Sequence, residues 1–526
     1  MTDVAPTTET PPPPAPEHRH PGFTLLAVAL GVMMVALDGT VVSVANPTIE
    51  RDLHASLSGL QWVTNGYLLA LAVALITGGK LGDLFGRRRT FMVGVAGFAL
   101  ASLGCALSGS IGMLVTFRVI QGVAGALLMP NTLAILRATF PPEQLTRAVG
   151  VWGATSALAV ASGPIVGGLL VEHVSWESIF LLNLPLGLIT LAFTVTVVAE
   201  SRDTTVGGGF DFPGLALLSS GLFLLIWALI KAQSHGWLSA YVLGFGIVGL
   251  VLLVGFALRE HRAALPMLPL DVFASRSVSA GTALTIIGFI GLFGVLFFIT
   301  LYLQNVHGYS PVETGVKMLP LTLTFIVSPV IGSLLTDRVG PRPPLMAGML
   351  ILAVAFFGLT SIGVDSSYSD LWPWFVLIGL SLGLVITATT QAIVGNVSVD
   401  RGGIAGGLQT TAQQLGGVLG TSILGSIIVS SVGGVLAAKL AAAGVHGRVA
   451  AAVLAQKDVV GSGIAPVSSS MPSSLQAAVT TASHAAFMHG LHTAMVVGAG
   501  LAIAGALAGS LVERGRPVEP GQAVGA

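Results

Sequence analysis

Apolar runs of about 20 residues, the length that crosses a bilayer core of roughly 30 Å as one α-helix, follow one another along almost the whole chain. Short stretches rich in Gly, Pro and charged residues separate them. The pattern predicts about fourteen membrane helices, near residues 24–46, 59–79, 90–108, 111–136, 147–170, 178–199, 212–231, 239–258, 279–304, 313–336, 345–364, 371–395, 404–432 and 488–510. The sequence therefore predicts an all-α polytopic membrane protein.

The order of these runs also predicts a domain organisation. Six helices precede and six follow a central pair, which indicates two six-helix bundles and an inserted pair. Residues 433–487, rich in Ala, Ser and Val, are expected to form a long loop, either mobile or with an amphipathic piece on the outer surface. The expected segments are a disordered tail, 1–22; a first bundle, 23–200; the inserted pair, 201–262; a second bundle, 263–512; and a second tail, 513–526.

Charge orients this arrangement. Lys and Arg concentrate in alternate loops, as in membrane proteins whose cytoplasmic loops are basic. This predicts that both termini and the turns at 80–89 and 337–344 lie inside, and that 433–487 lies outside. A twelve-helix model without the central pair would leave the other helices in the same orientation, so the charge pattern does not test that pair. Only the length and apolarity of its two runs predict that they cross the membrane.

Composition excludes several functional classes. Apolar residues make up 53% of the chain and charged residues 9%, against about 25% charged in soluble proteins. The 23 basic and 23 acidic residues cancel, which gives no reason to expect a nucleic-acid partner. The single cysteine, Cys105, cannot form an internal disulfide, and no Cys or His spacing indicates a metal site. The sequence contains no phosphate-binding, metalloprotease, esterase or dinucleotide motif, so we expect no enzyme, no cofactor, and an ion gradient as the energy source.

A charged turn occurs twice, at residues 78–89 and, in weaker form, at 332–342, with the same spacing from Gly to Asp and from Asp to Gly. Glycines there allow close helix approach, Asp can accept hydrogen bonds, and the arginines favour the cytoplasmic side. An internal repeat of this kind indicates a transporter, although a simple turn with topology-determining arginines is the alternative. The candidate gating residues are Gly79, Asp83, Gly86, Arg87 and Arg88 in the first copy and Asp337, Arg338 and Gly340 in the second.

Ionisable residues inside membrane helices are candidates for function by default. Asp38 is the carboxylate that lies deep inside a predicted helix, and Arg118 lies inside another. From the predicted helix ends both sit roughly 10–12 Å deep at 1.5 Å per residue, which would allow them to meet. The alternatives are that Asp38 merely faces water in an outer vestibule and that Arg118 only holds polar helix neighbours together.

Small, charged and polar residues mark three further sets of candidates. The fifth predicted helix contains Gly163, Pro164, Gly167 and Gly168, which allow close helix packing and a bend in the helix. The alternative is a packing kink that has no bearing on transport. Glu313 and Lys317 have the spacing of a local ion pair. Amides in apolar helices can face a substrate, with helix-to-helix bonding as the equal alternative. The candidates are Gln121, Gln391, Gln409 and Gln413.

Several of these stretches resemble signatures of the major facilitator superfamily. The turn at 78–89 resembles the loop between its second and third helices, a latch between the two halves of the transporter. Residues 37–47 resemble the first-helix signature of the fourteen-spanning drug:proton antiporters, with Ser43 where Asn is usual and Asn46 where an apolar residue is usual. Residues 114–126 match a fourth-helix motif associated with proton transfer, and 163–168 match the core of the motif that distinguishes exporters, with Ala159 replacing an earlier glycine. The likeness covers most of residues 24–430 and departs at Glu177 and Ser178, where an Arg-Trp pair is usual.

The resemblance implies a proton-coupled secondary exporter of hydrophobic or amphipathic compounds, such as drugs or antibiotics. Asp38 and Arg118 would carry the coupling, and the chain would act as a monomer in the cytoplasmic membrane of a bacterium. Two other functions stay open: an uptake carrier or symporter for a small nutrient, and a receptor or scaffold that transports nothing. Gly163 and Pro164 together with Asp38 favour export, and the sequence does not identify the substrate.

Overall fold

The computed structural model of the chain describes residues 20–202, 211–263, 266, 270–397, 402–468 and 471–513. The predicted tails, 1–22 and 513–526, lie almost entirely outside these residues. The described part is predominantly helical and contains no β-strand.

Long helices follow one another in the order that the apolar runs predict. Their bounds are α1 Pro21–Asp52, α2 Leu57–Phe85, α3 Arg87–Ala106, α4 Ile111–Thr139, α5 Pro142–His173, α6 Ser178–Leu181, α7 Asn183–Val197, α8 Phe212–His235, α9 Ala240–Arg262, α10 Arg276–Leu301, α11 Pro311–Lys317, α12 Leu319–Val339, α13 Arg342–Gly358, α14 Tyr368–Val394, α15 Gly402–Ala442, α16 Gly447–Ala455, α17 Lys457–Val460 and α18 Ser473–Ala508. A π-helical turn, Tyr302–Val306, follows α10 directly. Among the described residues, 13 spans are long and apolar enough to cross a bilayer, and α2, which bends by 49°, makes a fourteenth. The predicted all-α membrane fold is confirmed.

The first six and the last six spans pack in the same order. In the first half α1 packs on α5, α2 on α4, and α3 on α4 and α7; in the second half α10 packs on α15, α12 on α14, and α13 on α14 and α18. Glycines permit the closest crossings. A Cβ on Gly78 of α2 would lie 2.0 Å from the Ala126 carbonyl oxygen of α4, and one on Gly332 of α12 would lie 3.0 Å from the Gly383 carbonyl oxygen of α14. Lipid is as apolar as these side chains, so close backbone packing of this kind holds the helices together.

The inserted helix α8 bridges the seam between the two halves, and α9 packs on α8. Helix α8 contacts α2 of the first half and α15 of the second. The ring of Trp62 in α2 lies 5.5 Å from that of Phe223 and 5.8 Å from that of Trp227 in α8. Where α8 begins, Asp211 forms an ion pair of 2.7 Å with Arg259 of α9. The pair is therefore anchored to both halves.

The chain beyond residue 432 differs from the prediction. α15 continues to Ala442 and α18 begins at Ser473, so most of the predicted loop 433–487 is helical. The reason is that an Ala-rich stretch favours helix and that this stretch has apolar surface to bury, including Leu440 in α15 and Val460 in α17. The prediction of a loop is wrong at both ends of this segment, into which α15 and α18 extend, while α16 between them is an amphipathic helix, as the second alternative expected.

The first helix also extends beyond its predicted end. The predicted helix ends near residue 46, where its apolar run ends, whereas α1 continues through Pro47 to Asp52. Arg51 Nε donates to the Pro47 carbonyl oxygen at 3.1 Å, and Ile49 is buried. Asp38 therefore lies about 21 Å from the end of its helix at 1.5 Å per residue, and not the predicted 10–12 Å.

Candidate functional site

Asp38 of α1 and Arg118 of α4 form an ion pair inside the first half, with Arg118 Nη1 donating to Asp38 Oδ2. The Arg118 side chain is 1% exposed and that of Asp38 is 0% exposed. The contact that the sequence allowed is confirmed, and Asp38 does not face an outer vestibule in this conformation. Because both charges have lost their hydration, such a pair is favourable only when further hydrogen bonds satisfy its remaining atoms.

Two amide side chains supply those bonds, and a serine hydroxyl accepts from both amides. Gln121 of α4 donates from Nε2 to Asp38 Oδ1 at 2.9 Å and accepts from Arg118 Nη1 at 2.7 Å. Asn183, the first residue of α7, donates from Nδ2 to the same Oδ1 at 3.1 Å. Ser102 of α3 accepts from Gln121 at 2.8 Å and from Asn183 at 3.2 Å. Residues of four helices therefore form one buried hydrogen-bonded cluster, which we call the Asp38 network.

Arg118 is also held from its other sides. Its Nε donates to the Val63 carbonyl oxygen of α2 at 3.0 Å. Its guanidinium carbon lies 4.2 Å from the centre of the Tyr67 ring and 5.7 Å from that of Phe180. A planar guanidinium suits this position because it can donate in its plane while an aromatic ring covers its face. Protonation of Asp38 would remove the ion pair and leave Arg118 with neutral partners, so the charge state of one residue controls the contacts of the other.

Cys105 lies beside the network without taking part in a disulfide. Its Sγ is 3.8 Å from Gln121 Oε1, and the thiol is buried. Within the described ranges no group of three or more His, Cys, Asp or Glu side chains could hold a metal ion.

The glycines of α5 bring that helix against α1 close to the network. A Cβ on Gly163 would lie 2.1 Å from Thr40 Oγ1, and one on Gly167 would lie 2.8 Å from the Val41 carbonyl oxygen. Thr40 Oγ1 also donates to a carbonyl oxygen of α5 at 3.1 Å. The predicted close packing is confirmed, and it couples α5 to the helix turn that carries Asp38.

Another face of α5 packs on the second half. A Cβ on Gly168 would lie 2.5 Å from the Pro311 carbonyl oxygen of α11, and a Cβ on Gly315 of α11 would lie 2.5 Å from the Pro164 carbonyl oxygen of α5. Each helix thus places a glycine against the backbone of the other. Because any side chain would force the two helices apart, this crossing requires glycine on both sides. A role of these residues in the direction of transport stays a prediction.

The two halves meet at the end of the molecule where α1 ends and α2 begins, which we call the closed end. Gln304 Nε2 in the π-helical turn donates to the Val44 carbonyl oxygen at 3.0 Å, and Asn65 Nδ2 donates to Ser422 Oγ at 2.9 Å. A cavity of only about 10 Å³, lined in part by Phe293, lies between the halves, which is room for about one water molecule. Side chains therefore seal the path between the halves here.

At the opposite ends of α5 and α15 the packing is open. A Cβ added to Gly153 of α5 or to Gly406 of α15 would meet no atom within 4 Å. These two positions therefore have room for a side chain, unlike the glycine crossings at the closed end.

The first charged turn closes onto α7 of its own half. Gly86 ends α2 with a φ of 108°, a backbone conformation that favours glycine. Asp83 pairs with Arg87 at 2.8 Å, and the Arg88 backbone N–H donates to Glu200 beyond the end of α7 at 3.1 Å. These contacts join α2 and α3 to the segment that follows α7, so they form no latch between the halves in this conformation. The physical reason is that Glu200, in the same half, lies within reach of the Arg88 backbone N–H.

The second turn repeats the backbone of the first without its ion pair. Gly340 ends α12 with a φ of 80°. The side chains of Asp337 and Arg338 are exposed, and no ion pair of Asp337 occurs in the part of the chain that the structure describes. The repeat therefore preserves the requirement for a left-handed glycine and loses the charged contact.

The four candidate amides divide into buried and accessible ones. Gln121 belongs to the Asp38 network, so its prediction as a substrate-facing residue is wrong for this conformation: the buried carboxylate recruits its amide. Gln409 is buried and bonds to threonine hydroxyls of α10 and α14 at 3.4 and 3.3 Å, which is the helix-to-helix alternative. Gln391 is exposed and Gln413 is half-buried, so both remain available to a substrate.

The expected ion pair of Glu313 and Lys317 does not form. Glu313 instead accepts the Ser310 backbone N–H at 2.9 Å and caps the start of α11. The Lys317 ammonium lies 4.2 Å from the centre of the Tyr309 ring and 4.6 Å from that of Tyr368. Helix capping and aromatic faces outcompete an exposed pair, which is worth about 1 kcal/mol or less.

Sequence reasoning missed Asn183, Ser102 and Tyr67 as parts of the site. The available signal was polarity, because a polar side chain in an apolar membrane helix usually faces other helices. That rule could have selected Asn183, which interrupts an apolar run. It could not have named Asp38 as the partner, since the contact joins helices 145 residues apart in the chain.

Comparison with known proteins gives a family and named relatives. The profile of the Major Facilitator Superfamily matches residues 28–421. The chain is 46% identical over 502 residues to the tetracenomycin C resistance and export protein of Streptomyces glaucescens, covering 95% of this chain and 93% of that protein. It is 35% identical over 425 residues to the probable actinorhodin transporter of Streptomyces coelicolor, covering 78% and 73%. Among solved structures, an inward-facing, unoccupied bacterial homolog of the human lysosomal transporter Spinster has a TM-score of 0.62 at 18% identity, covering 94% of this chain and 98% of that chain. That likeness is one of fold.

Proposed function

Because the chain belongs to the Major Facilitator Superfamily, we propose that it exports a hydrophobic or amphipathic compound, such as an antibiotic, in exchange for protons. A relative of 46% identity, named for resistance to tetracenomycin C and its export, supports the direction and the substrate class. The observation that carries proton coupling is the Asp38 network. A buried carboxylate with one arginine as its cation can exchange that contact for a proton.

The proposal places the protein as a monomer in the bacterial cytoplasmic membrane, with both termini and the basic turns on the cytoplasmic side. Its two bundles would be residues 23–200 and 263–512, with the inserted pair at 201–262. The closed end then faces outside, so the conformation described above is closed toward the medium.

Asp38 exchanges its proton during this cycle. When the outer end is open, a proton from the medium neutralises Asp38 and releases its ionic contact with Arg118. When the inner end is open, loss of the proton restores the pair, and substrate enters between the halves, where Gln391 and Gln413 can donate or accept hydrogen bonds. The proton gradient supplies the energy, so the cycle uses no cofactor.

Inside-out vesicles with an acid interior test this function. Tetracenomycin C and a fluorescent lipophilic dye serve as probes, and we expect at least one of them to accumulate and to dissipate the pH gradient as it does so. Vesicles with the Asp38→Asn variant, matched for protein content, are expected to do neither. Accumulation that ignores the gradient would contradict proton coupling, uptake into right-side-out vesicles would indicate an uptake carrier, and movement of no compound would indicate a scaffold.

Thiol labelling tests the orientation. Ser474 near the start of α18 and Arg89 after the first turn are exposed, whereas Cys105 is buried and serves as the blank. An impermeant maleimide is expected to label Ser474→Cys in intact cells and Arg89→Cys only after permeabilisation. The reverse pattern would invert the topology.

A further inference from the structure

Glu50 is a buried carboxyl at the closed end that the Asp38 network does not use. It lies in the last turn of α1 and is 7% exposed. Its Oε1 is 2.6 Å from Ser462 Oγ, while its Oε2 has no hydrogen-bond partner. No ion pair in the described residues includes Glu50. A charged oxygen that is buried without a partner is costly, so the surroundings favour a neutral carboxyl.

The hydrogen bonds of Ser462 point to the same protonation state. Its Oγ also lies 2.8 Å from the Val459 carbonyl oxygen, which can only accept. A serine hydroxyl carries one proton, so it cannot donate to Val459 and to Glu50 at once. Both short contacts are satisfied when Ser462 donates to Val459 and Glu50 donates its own proton to Ser462.

Ser462 in turn connects the two halves. It lies in the turn after α17, and its carbonyl oxygen accepts from Asn305 Nδ2 in the π-helical turn at 2.8 Å. The next residue, Gly463, has a φ of 83°, and a Cβ there would lie 3.5 Å from Asn305 Cβ. The turn therefore lies between Glu50 of the first half and Asn305 of the second. We call Glu50, Ser462 and Asn305 the outer clasp.

A cavity beside the outer clasp gives water room to reach this end. Its volume is about 550 Å³, and Arg51, Asn305 and Ile464 are among its lining residues. The other charged or titratable side chains on the elements that meet here include Arg51, Asp52, His54, Tyr302, His307, Lys457, Asp458 and His484. None of these lies within 4.0 Å of Glu50 as an ion-pair partner.

We propose that Glu50 is a second proton-binding residue of the transport cycle, and that its protonation closes the outer end through the outer clasp. When Glu50 loses its proton, the carboxylate can no longer donate to Ser462, and burial without a cation favours separation of the halves. A proton taken from the outside would thus close the side from which it came. This link to export rests on the proposed proton antiport, whereas the pH-dependent closure itself does not.

Labelling of a buried cysteine measures the closure without substrate or gradient. Thr314 of α11 is fully buried in the closed end, so Thr314→Cys reports opening to an impermeant maleimide. Ser474→Cys, at an exposed position, reports the intrinsic rate of a thiol. In right-side-out vesicles the ratio of the two rates cancels the pH dependence of thiol chemistry, and we expect it to rise several-fold from acid to alkaline pH.

Variants of the outer clasp identify the group responsible. Glu50→Gln resembles the neutral acid and is expected to keep the ratio low at every pH, while Ser462→Ala is expected to keep it high. Asp52→Asn, which neutralises an exposed carboxylate of the same helix turn, is the matched control and should behave as the parent. Persistence of the parent's pH dependence in Glu50→Gln, or its loss in Asp52→Asn, would overturn the proposal.

The two proposals fail separately. If the labelling pattern is as expected but no gradient drives export, the antiport proposal is wrong and the outer clasp stands. If gradient-driven export occurs but the labelling ratio does not depend on Glu50, the outer clasp is wrong and the antiport stands.

Discussion

The interiors of the two halves share a helix packing but differ in chemistry. In the first half, α1, α3, α4 and α7 enclose the Asp38–Arg118 ion pair. In the second half, α10, α14 and α15 meet at Gln409, whose side chain bonds threonine hydroxyls of α10 and α14. Among the described residues, every buried Asp, Glu or Arg belongs to the first half or the inserted pair. Packing therefore repeats while buried carboxylates and arginines do not, and we expect proton coupling to depend on the first half.

Neutralising the Asp38 network should have the largest effect. Asp38→Asn keeps the shape but cannot titrate, so we expect it to abolish gradient-driven accumulation in inside-out vesicles. Gln409→Met in the second half is the matched substitution and should leave most of that accumulation, because the residue it replaces carries no proton. An equal loss of accumulation in both variants would contradict the expectation that proton coupling depends on the first half.

Arg118→Lys should reduce accumulation several-fold, less than Asp38→Asn does. A lysine keeps the charge but cannot bond Asp38, Gln121 and the Val63 carbonyl from one planar group. The measurement is the initial rate of accumulation as a function of interior pH, whose midpoint should shift because the partner of Asp38 has changed. A lower rate with an unchanged profile would indicate damage to packing alone.

The glycine crossing between the halves should respond to a single methyl group. Gly168→Ala places a Cβ 2.5 Å from a backbone oxygen of α11, and overpacking of this kind costs about 1–3 kcal/mol. We expect a lower melting temperature in detergent and slower transport. Gly153→Ala, where a Cβ meets no atom within 4 Å, is the control and should match the parent; a melting temperature of Gly168→Ala equal to the parent's would show that the helices adjust.

Neutralising the Asp of the first charged turn should reduce the transport rate slightly, and neutralising the Asp of the second should not. Asp83→Asn removes the ion pair with Arg87. The Asp83 side chain is 32% exposed and that of Arg87 is 21% exposed, and partly exposed pairs contribute about 1 kcal/mol or less to stability. We expect a modest decrease in transport rate at unchanged membrane content. Asp337→Asn should have no effect, since its carboxylate is exposed; a larger effect for Asp337 would place the functional turn in the second half.

Much of the fold was predictable because a bilayer fixes the length of a spanning helix. Apolar length alone indicated the fourteen spans, and Asp38 and Arg118 stood out because charges inside such runs are rare. Gly86 and Gly340 were recognisable as turn glycines, and both adopt positive φ. Helix ends were less predictable, since Pro47 continues a helix that its backbone chemistry should end.

The sequence by itself determined which segments cross the membrane and which side chains are unusual there. Only the tertiary structure decided that Asn183 and Gln121 complete the Asp38 network and that Glu50 meets Ser462. The physical reason is that a membrane helix is apolar toward lipid and toward its neighbours alike, so its sequence carries little signal for which face turns inward. That choice is made when backbones approach at their glycines and buried polar groups find partners from distant parts of the chain.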